Sequence, residues 1–182
     1  DTATIIRLTL QNTLIFKAVE EEFIGLINRY QGILQKICNV YFYQHPYRED
    51  YYQEILIRIW KAYPQFKKES TFSTWLYRVA LNSAIDLVRK ESIQPVHREL
   101  SAKEYSLQDN HSEDSNSAER KEILYQAINQ LSDIEKAIIL LYLEGYEYKE
   151  ISAVIGISES NVGVKINRIK KQLIKQINNG RE

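Results

Sequence analysis

Apolar residues recur every three or four positions along most of the chain, which is the spacing of one face of an α-helix. The first such stripe predicts a helix over residues 22–41. A turn is expected at His45-Pro46, because proline disfavours helix at its own position and just before it. Later stripes predict helices over residues 49–63 and 72–90. The first half of the chain is therefore expected to consist of three amphipathic helices.

The second half continues this pattern and adds helix boundaries. An amphipathic stripe predicts a helix over residues 120–131. Ser132 and Glu135 have the spacing of a capping box, in which the two residues satisfy each other's free backbone N–H groups at the start of a helix. The helix that they start is expected to end near Gly145, because glycine readily adopts the left-handed conformation that follows a helix end.

Residues 148–162 have the pattern of a helix-turn-helix. Gly156 provides the turn, the small side chain of Ser152 lets the two helices approach, and Ser158 caps the second helix. The apolar positions of the stretch form the shared core: Ile151, Ile155, Ile157 and Val162. Apolar, small, glycine and capping residues all have the required offsets, so the stretch indicates a DNA-binding module.

Composition excludes several other classes of protein. Six Gly and three Pro among 182 residues are too few for a turn-rich sandwich or barrel. The longest strongly apolar run, residues 138–143, is far shorter than the roughly 20 residues that span a bilayer. No signal peptide is visible at the start of the chain. The single cysteine, Cys38, is expected to be a buried small hydrophobic residue, and a cytoplasmic location is expected.

Charge is balanced overall but strongly segmented. The chain has 24 Lys+Arg and 24 Asp+Glu, which argues against a uniformly basic nucleic-acid binder. Residues 58–90 carry seven positive and two negative charges, and residues 160–181 carry six positive and no negative charges. Such basic stretches are what neutralisation of nucleic-acid phosphates requires, although a solvated helix face is the alternative for each.

Residues 91–117 are rich in Ser, Asp, Glu and Asn, carry two positive and six negative charges, and lack helical periodicity. This composition is typical of a linker. We therefore expect an all-α fold with two small helical domains, residues 17–90 and 118–182, joined by a flexible acidic linker. The apolar residues 1–16 fit a partner-binding segment, an extension of the first helix or an unrelated remnant.

The basic region of the first domain also contains aromatic residues, and aromatic faces can stack on unpaired bases. Four of them are interleaved with the cations: Phe66, Phe72, Trp75 and Tyr77. Trp60 and Trp75 are instead expected in the core, where large aromatic residues at helical spacing usually lie. The polar loop residues beside the aromatic cluster are the candidate nucleic-acid contacts: Lys67, Lys68, Ser70 and Thr71.

The second helix of the helix-turn-helix carries the other candidate DNA contacts. Its exposed positions are expected to reach base edges or phosphates in a major groove: Ser160, Asn161, Gly163, Lys165, Asn167 and Arg168. Asn167 and Arg168 are chemically best suited to reading bases. The candidate contacts to the phosphate backbone are Lys170, Lys171 and Lys175.

With these features described, residues 22–173 resemble the bacterial RNA polymerase sigma factors of the extracytoplasmic-function group. Residues 50–60 (DYYQEILIRIW) resemble the family's D-L-x-Q-E-x-F-x-x-x-W segment, and residues 72–82 (FSTWLYRVALN) resemble its F-x-T-W-L-x-R-I-A-x-N run. In the second domain, residues 148–152 (YKEIS) resemble Y-x-E-I-A, and residues 156–168 (GISESNVGVKINR) resemble the family's recognition-helix pattern.

The resemblance implies a sigma initiation factor that binds core RNA polymerase and promoter DNA, with neither a catalytic residue nor a cofactor. It implies that Asp50, Gln53 and Glu54 contact the coiled coil of the β′ subunit, and it adds the β subunit as a partner. It implies that the third helix and the preceding loop open a promoter element, with Arg78 and Asn82 among the contacts. An anti-sigma factor is a further implied partner, and membrane insertion is not expected.

Departures from the family pattern fall mainly on the recognition helix. Gly163 and Val164 replace the usual basic and serine residues, and Lys165 replaces arginine. Tyr51 in place of leucine is a milder change on the polymerase-binding helix. The promoter sequence that is read here therefore need not be the family's common one.

The alternative function is a helix-turn-helix transcriptional regulator whose N-terminal helices dimerise or sense a ligand. The basic aromatic loop 64–72 and the polar face of the helix over residues 49–63 argue against it. An enzyme or a metal site is not expected, since the chain lacks a phosphate-cradling glycine loop and a GxSxG motif. The histidines His45, His97 and His111 also lack the spacing of metal ligands.

Overall fold

The computed structural model describes residues 2–93 and 115–179, and all regular structure within them is helical. The first half contains α1 (Thr2–Tyr41), α2 (Arg48–Ala62) and α3 (Phe72–Ile93), with a 3-10 turn at Tyr63–Gln65 after α2. The second half contains α4 (Ser115–Asn129), α5 (Asp133–Leu143), α6 (Tyr148–Ile155) and α7 (Glu159–Asn179). The expected all-α class is confirmed, while most of the expected linker lies outside the described residues.

Helices α1, α2 and α3 pack around an apolar core formed by the stripes seen in the sequence. Side chains that are at most 1% exposed come from all three helices: Leu34, Ile37, Ile55, Ile59, Leu76, Ala80 and Ala84. The two alanines leave room for the backbone of α3 to approach its neighbours. Cys38 lies in this core, and burial raises the pKa of its thiol to about 12. The thiol therefore stays protonated, as expected of a small hydrophobic residue.

Helix α1 is continuous from Thr2, so residues 2–16 extend the first helix, which is one of the three alternatives that the sequence left open. Phe16 lies edge-on to Trp60 of α2, with ring centroids 6.1 Å apart. Phe23 packs on both Trp60 and Tyr63. Trp60 is partly buried against the core, as expected.

Helix ends in the second half follow local hydrogen-bonding rules. The Glu135 carboxylate accepts bonds from the N–H and the hydroxyl of Ser132, at 3.1 and 2.7 Å, which forms the predicted capping box of α5. After α5, the N–H groups of Gly145 and Tyr146 donate to carbonyls in the last turn. Gly145 has a φ of +83°, so it ends the helix in the left-handed conformation, as predicted.

The two halves contact each other, with α1 and α3 on one side and α4, α5 and α6 on the other. The Tyr41 hydroxyl donates to the backbone carbonyl of Asp133 at 2.6 Å, and Lys36 Nζ lies 2.6 Å from Glu144 Oε2. Two aromatic pairs complete the contact: Tyr43 stacked on Tyr125, and Tyr77 edge-on to Tyr146. Polar and aromatic contacts between residues far apart in sequence therefore join the halves.

Candidate functional site

The solvent side of α2 carries the residues for which the resemblance implied polymerase binding. Asp50 and Gln53 are exposed, and the Glu54 side chain is 45% exposed. Gln53 Nε2 donates to Glu49 Oε1 at 3.2 Å, and Glu54 Oε1 accepts a bond from Arg58 Nε at 2.9 Å. These local bonds order the side chains into one polar surface along the helix.

Ile57 lies on the same side of α2, one turn after Gln53 and Glu54, and is 47% exposed. It is absent from the sequence-based candidates, although its position is out of phase with the buried Ile55 and Ile59 and signals exposure. An apolar side chain surrounded by polar ones is a common composition of protein-binding surfaces. Ile57 therefore adds an apolar side chain to the exposed face of α2.

The aromatic residues around the 66–72 loop pack mainly on one another. The ring centroid of Phe66 lies 5.1 Å from that of Trp75 and 5.6 Å from that of Phe72. Phe72 is buried, and Phe66 and Trp75 are partly buried against the core, as expected for Trp75. The cluster thus supports the two ends of the loop, and it leaves little exposed ring surface on which a base could stack.

The polar loop side chains are all exposed: Lys67, Lys68, Ser70 and Thr71. Lys68 has a left-handed backbone with a φ of +59°, and its Nζ lies 3.6 Å from Glu22 Oε1 of α1. Thr71 caps α3, because the Thr74 N–H donates to Thr71 Oγ1 at 3.2 Å. This capping role was missed, although a Thr directly before an apolar helical stripe is a signal for it. The loop is therefore held at Lys68 in its middle and at Thr71 where α3 begins.

Arg78 and Asn82 lie one turn apart on the exposed side of α3. The Arg78 guanidinium donates a hydrogen bond to the backbone carbonyl of Ala153 in α6. In this arrangement, Arg78 is engaged by the second half of the chain. A guanidinium has five N–H donors, so this bond leaves other donors for DNA, but α6 lies directly beside them.

The predicted helix-turn-helix is formed by α6 and α7. Gly156 has a φ of +81° and reverses the chain between the two helices. The Ser152 hydroxyl donates to the Ile157 carbonyl at 2.6 Å, so the small residue also ties the turn together. The Asn161 N–H donates to Ser158 Oγ at 3.4 Å, as predicted for the helix cap.

Helix α7 buries Val162, Ile166 and Ile169 completely, which turns its opposite side to solvent. Most of the predicted DNA contacts are exposed: Ser160, Asn161, Asn167, Arg168 and Lys171. Lys165 is half-buried. The outward side of the helix is thus rich in donors and positive charge, as a major-groove helix requires.

One further residue of this outward side, Val164, is 62% exposed and is absent from the sequence-based candidates. A signal was present, since Val164 is out of phase with the buried stripe of Val162 and Ile166. An exposed aliphatic side chain has no hydrogen-bonding group for a base edge or a phosphate, so Val164 was not counted among the candidate DNA contacts.

The flanks of α7 contact other helices. Lys170 Nζ donates to the Tyr142 hydroxyl at 2.6 Å and lies 4.1 Å from the centroid of that ring, so it is held against α5. A Cβ at Gly163 would lie 3.3 Å from the Tyr148 ring, so the glycine makes room for this aromatic side chain. Gly163 therefore contributes space rather than a side chain to the surface.

The other flank of α7 lies near the start of α5. Hydrogen bonds from Ser132 lower the pKa of the Glu135 carboxyl, and the positive charges of Lys165 and Arg168 lower it further. The capping residue of α5 therefore also influences the electrostatics of the outward side of α7.

Among residues 2–93 and 115–179, no group of three or more His, Cys, Asp or Glu side chains could hold a metal ion. No helix in those ranges is long and apolar enough to cross a membrane. The Tyr47 N–H donates to His45 Nδ1, so Nε2 carries the proton of the neutral ring and donates to Glu91 Oε1 at 3.0 Å. His45 thus ties the turn after α1 to the end of α3.

Two family profiles match the chain in order. The family described as Sigma-70 region 2 matches residues 26–93, which span most of the first half. The family described as Sigma-70, region 4 matches residues 121–173, which contain the helix-turn-helix. The exposed faces of α2 and α7 each lie within one of these matched regions.

Curated relatives and solved structures agree with these matches. The ECF RNA polymerase sigma-E factor of Haemophilus influenzae is 27% identical over 84% of this chain and 85% of its own length. The ECF RNA polymerase sigma-E factor of Escherichia coli K12 is 28% identical over 86% of this chain and 87% of its own length. The sigma factor RpoE from Bartonella quintana, solved with the anti-sigma factor NepR, has a TM-score of 0.66 at 18% identity, covering 87% of this chain and 98% of its own. CnrH, solved with the cytosolic domain of CnrY, has a TM-score of 0.62 at 19% identity, and the match covers 87% of this chain and 89% of the CnrH chain. With both regions present in order and relatives that span most of its length, the chain belongs to the sigma-70 family, in the extracytoplasmic-function group of sigma factors.

Proposed function

We propose that this chain acts as a sigma initiation factor that binds core RNA polymerase, recognises two promoter elements and promotes strand opening. The observation that carries the proposal is the presence of region 2 and region 4 in order along one chain. We assign polymerase binding and melting to residues 17–90, a linker to residues 91–117 and the second promoter contact to residues 118–182. A specificity subunit needs no catalytic residue, because the polymerase carries out the chemistry.

The polymerase contact is assigned to the exposed face of α2. Asp50, Gln53 and Glu54 present polar groups within one turn, and Ile57 adds an apolar side chain beside them. A polar surface with an adjoining apolar residue suits docking against a helical coiled coil such as that of the β′ subunit. The β subunit is proposed as a second contact of the factor.

Promoter opening is assigned to the loop before α3 and the exposed side of that helix. The contacts proposed for this surface are Lys67, Lys68, Ser70, Thr71, Arg78 and Asn82. Lys67 and Lys68 supply positive charge for the phosphate backbone. The bond from Arg78 to Ala153 supports a rearrangement of the halves before this surface is fully available.

Recognition of the second promoter element is assigned to α7. Asn167 and Arg168 can pair with base edges from the outward side, and Lys171 is placed for a phosphate. Ser160, Asn161 and Lys165 complete the proposed set. Lys170 is left out of the phosphate contacts, because Tyr142 holds its ammonium group.

An inhibitory partner and a cytoplasmic location follow from this assignment. The structural neighbours were solved with the anti-sigma factor NepR and with the cytosolic domain of CnrY. We propose that a comparable protein binds this chain and withholds it from polymerase. The location is proposed because core polymerase and promoters are both in the cytoplasm.

The test is in vitro transcription by the full chain with core RNA polymerase from its host, over a library of promoter sequences. We expect transcripts from templates that share two sequence elements, and none from core polymerase alone. If the chain fails to bind core polymerase and instead dimerises on a palindromic site, it is a helix-turn-helix regulator and the proposal is wrong.

A further inference from the structure

Val164 lies at the centre of the outward side of α7. On a helix with 3.6 residues per turn, it is directed almost opposite to the stripe of Val162, Ile166 and Ile169, which is fully buried. The residues on either side of it on that face are polar or basic: Ser160, Asn167, Arg168 and Lys171. Val164 is thus a single aliphatic side chain within a surface of hydrogen-bond donors.

Exposure alone does not distinguish Val164, because single exposed apolar side chains are common on proteins. Its position does, since the N-terminal residues of a recognition helix are the ones that contact base edges. Ile174 of the same helix is 61% exposed but lies nearly three turns further on, and on the flank. The two residues are therefore matched in exposure and differ in their place on the helix.

The position before Val164 strengthens the apolar character of this part of the helix. Gly163 has no side chain, and the Tyr148 ring fills the space beside it. Tyr148 is itself 37% exposed. Two consecutive positions near the start of α7 therefore present aliphatic, aromatic or backbone atoms instead of a charged side chain.

An aliphatic side chain discriminates between bases through one group only. In the major groove, the C5-methyl of thymine is the apolar group that a base pair presents, while the other edge groups are hydrogen-bond donors or acceptors. We propose that Val164 reads a thymine methyl group in the promoter element bound by α7. This inference rests on the proposed function, and it assigns one base contact to a residue outside the predicted set.

Deoxyuridine differs from thymidine only by this methyl group, which makes a direct test possible. Holoenzyme of the full chain and host core polymerase first selects preferred duplexes from a library randomised over the upstream element. Each thymine of a selected duplex is then replaced singly by deoxyuridine, and holoenzyme affinity is measured by competition. We expect one replacement to weaken binding about fourfold, which is the effect of burying one methyl group.

Val164→Ser should bind the thymine and deoxyuridine duplexes equally, whereas the matched control Ile174→Ala should keep the fourfold difference. The inference is overturned if no thymine replacement weakens the wild type, or if Val164→Ser keeps the same sensitivity. It is also overturned if Val164→Ser loses core-polymerase affinity instead, since Val164 would then contact protein. A wild-type chain that supports no transcription contradicts the proposed function itself, while a transcribing holoenzyme indifferent to the methyl group contradicts only the role of Val164.

Discussion

Arg168 and Lys170 are two residues apart on α7, yet their surroundings differ completely. Arg168 is exposed on the outward side. Lys170 donates to the Tyr142 hydroxyl and lies over the face of that ring, which suits a cation because the ring face is negative. A change at Arg168 should therefore affect DNA recognition, and a change at Lys170 should affect the packing of α7 on α5.

Replacing Arg168 with Ala should weaken binding of the upstream element by about 1–3 kcal/mol and relax specificity at one base pair. The measurement is holoenzyme affinity on the selected element and on single-base variants of it. Lys170→Ala is the control: it should lower the free energy of unfolding by roughly 1 kcal/mol and leave base preference unchanged. An equal loss on every duplex would make Arg168 a phosphate contact only.

At the scale of helices, local hydrogen bonds determine where a helix begins and ends, and they also position the side chains on its exposed face. The Ser132–Glu135 box starts α5, and Gly145 ends it. On α2, the bond from Gln53 to Glu49 spans four residues and keeps the Gln53 amide on the solvent side. Each of these two helices therefore has a surface residue that can be substituted without disturbing the apolar core.

Glu135→Gln should change how the free energy of unfolding depends on pH. The pKa of the Glu135 carboxyl is lower in the folded chain than the unfolded value of about 4.3, so its charge stabilises the fold above that pH. This contribution is lost as the pH falls through the folded value. Gln can still form the capping box but lacks the charge, so we expect Glu135→Gln to cost about 0.3–1 kcal/mol at neutral pH, with the deficit shrinking in acid.

Urea unfolding followed by circular dichroism over a series of pH values would measure this difference. Glu122→Gln, on the exposed surface of α4, is the control and should change the free energy of unfolding by less than about 0.5 kcal/mol. A deficit for Glu135→Gln that stays constant down to acid pH would show that charge at position 135 is unimportant.

Gln53→Lys should reduce core-polymerase affinity by about tenfold, a loss of roughly 1.4 kcal/mol, because it places a positive charge beside the Asp50 and Glu54 carboxylates of the α2 face. Gln53 is preferable to Glu54, whose carboxylate also pairs with Arg58. Gln126→Lys on α4 is a matched control, since Gln126 donates to Glu122 just as Gln53 donates to Glu49. Equal core affinity of the two variants in a pull-down would contradict the assignment of α2.

For the whole molecule, the contact between the halves determines which surfaces are available. The bonds from Tyr41 to Asp133 and from Arg78 to Ala153 join residues of the proposed melting half to the helix-turn-helix half. The chain length between residues 93 and 115 sets an upper limit of roughly 75 Å on the distance between the end of α3 and the start of α4. Because α6 packs against α3 beside Arg78, DNA that approaches this side of α3 would meet the helix-turn-helix half.

The halves should therefore move apart in the transcribing complex. Donor and acceptor dyes on Asn28→Cys and Gln172→Cys, both at exposed positions, would report the distance, and the buried Cys38 should not compete for label. We expect energy transfer to fall when core polymerase and promoter are added. The added variant Gln53→Lys should blunt this fall, and unchanged transfer in an active complex would contradict the prediction.

Much of the fold could be predicted because its signals are local. Helical periodicity, the Ser132–Glu135 box and the glycines at 145 and 156 act over a few residues, so the helices and the helix-turn-helix were visible in the sequence. The continuation of α1 to Thr2 was left open, because an apolar stretch without a clear period fits more than one structure. The candidate residues on α2 and α7 came from motifs whose positions are likewise local.

The sequence by itself determined the helices, their ends and the family pattern of their motifs. Only the tertiary structure decided which polar side chains are engaged: Arg78 with Ala153, Lys170 with Tyr142, and Lys36 with Glu144. It also decided that Val164 faces outward and that Tyr148 fills the space at Gly163. The physical reason is the sequence separation of the interacting residues. Helix formation depends on neighbours within about four residues, whereas the exposure of a side chain depends on packing between segments far apart in sequence.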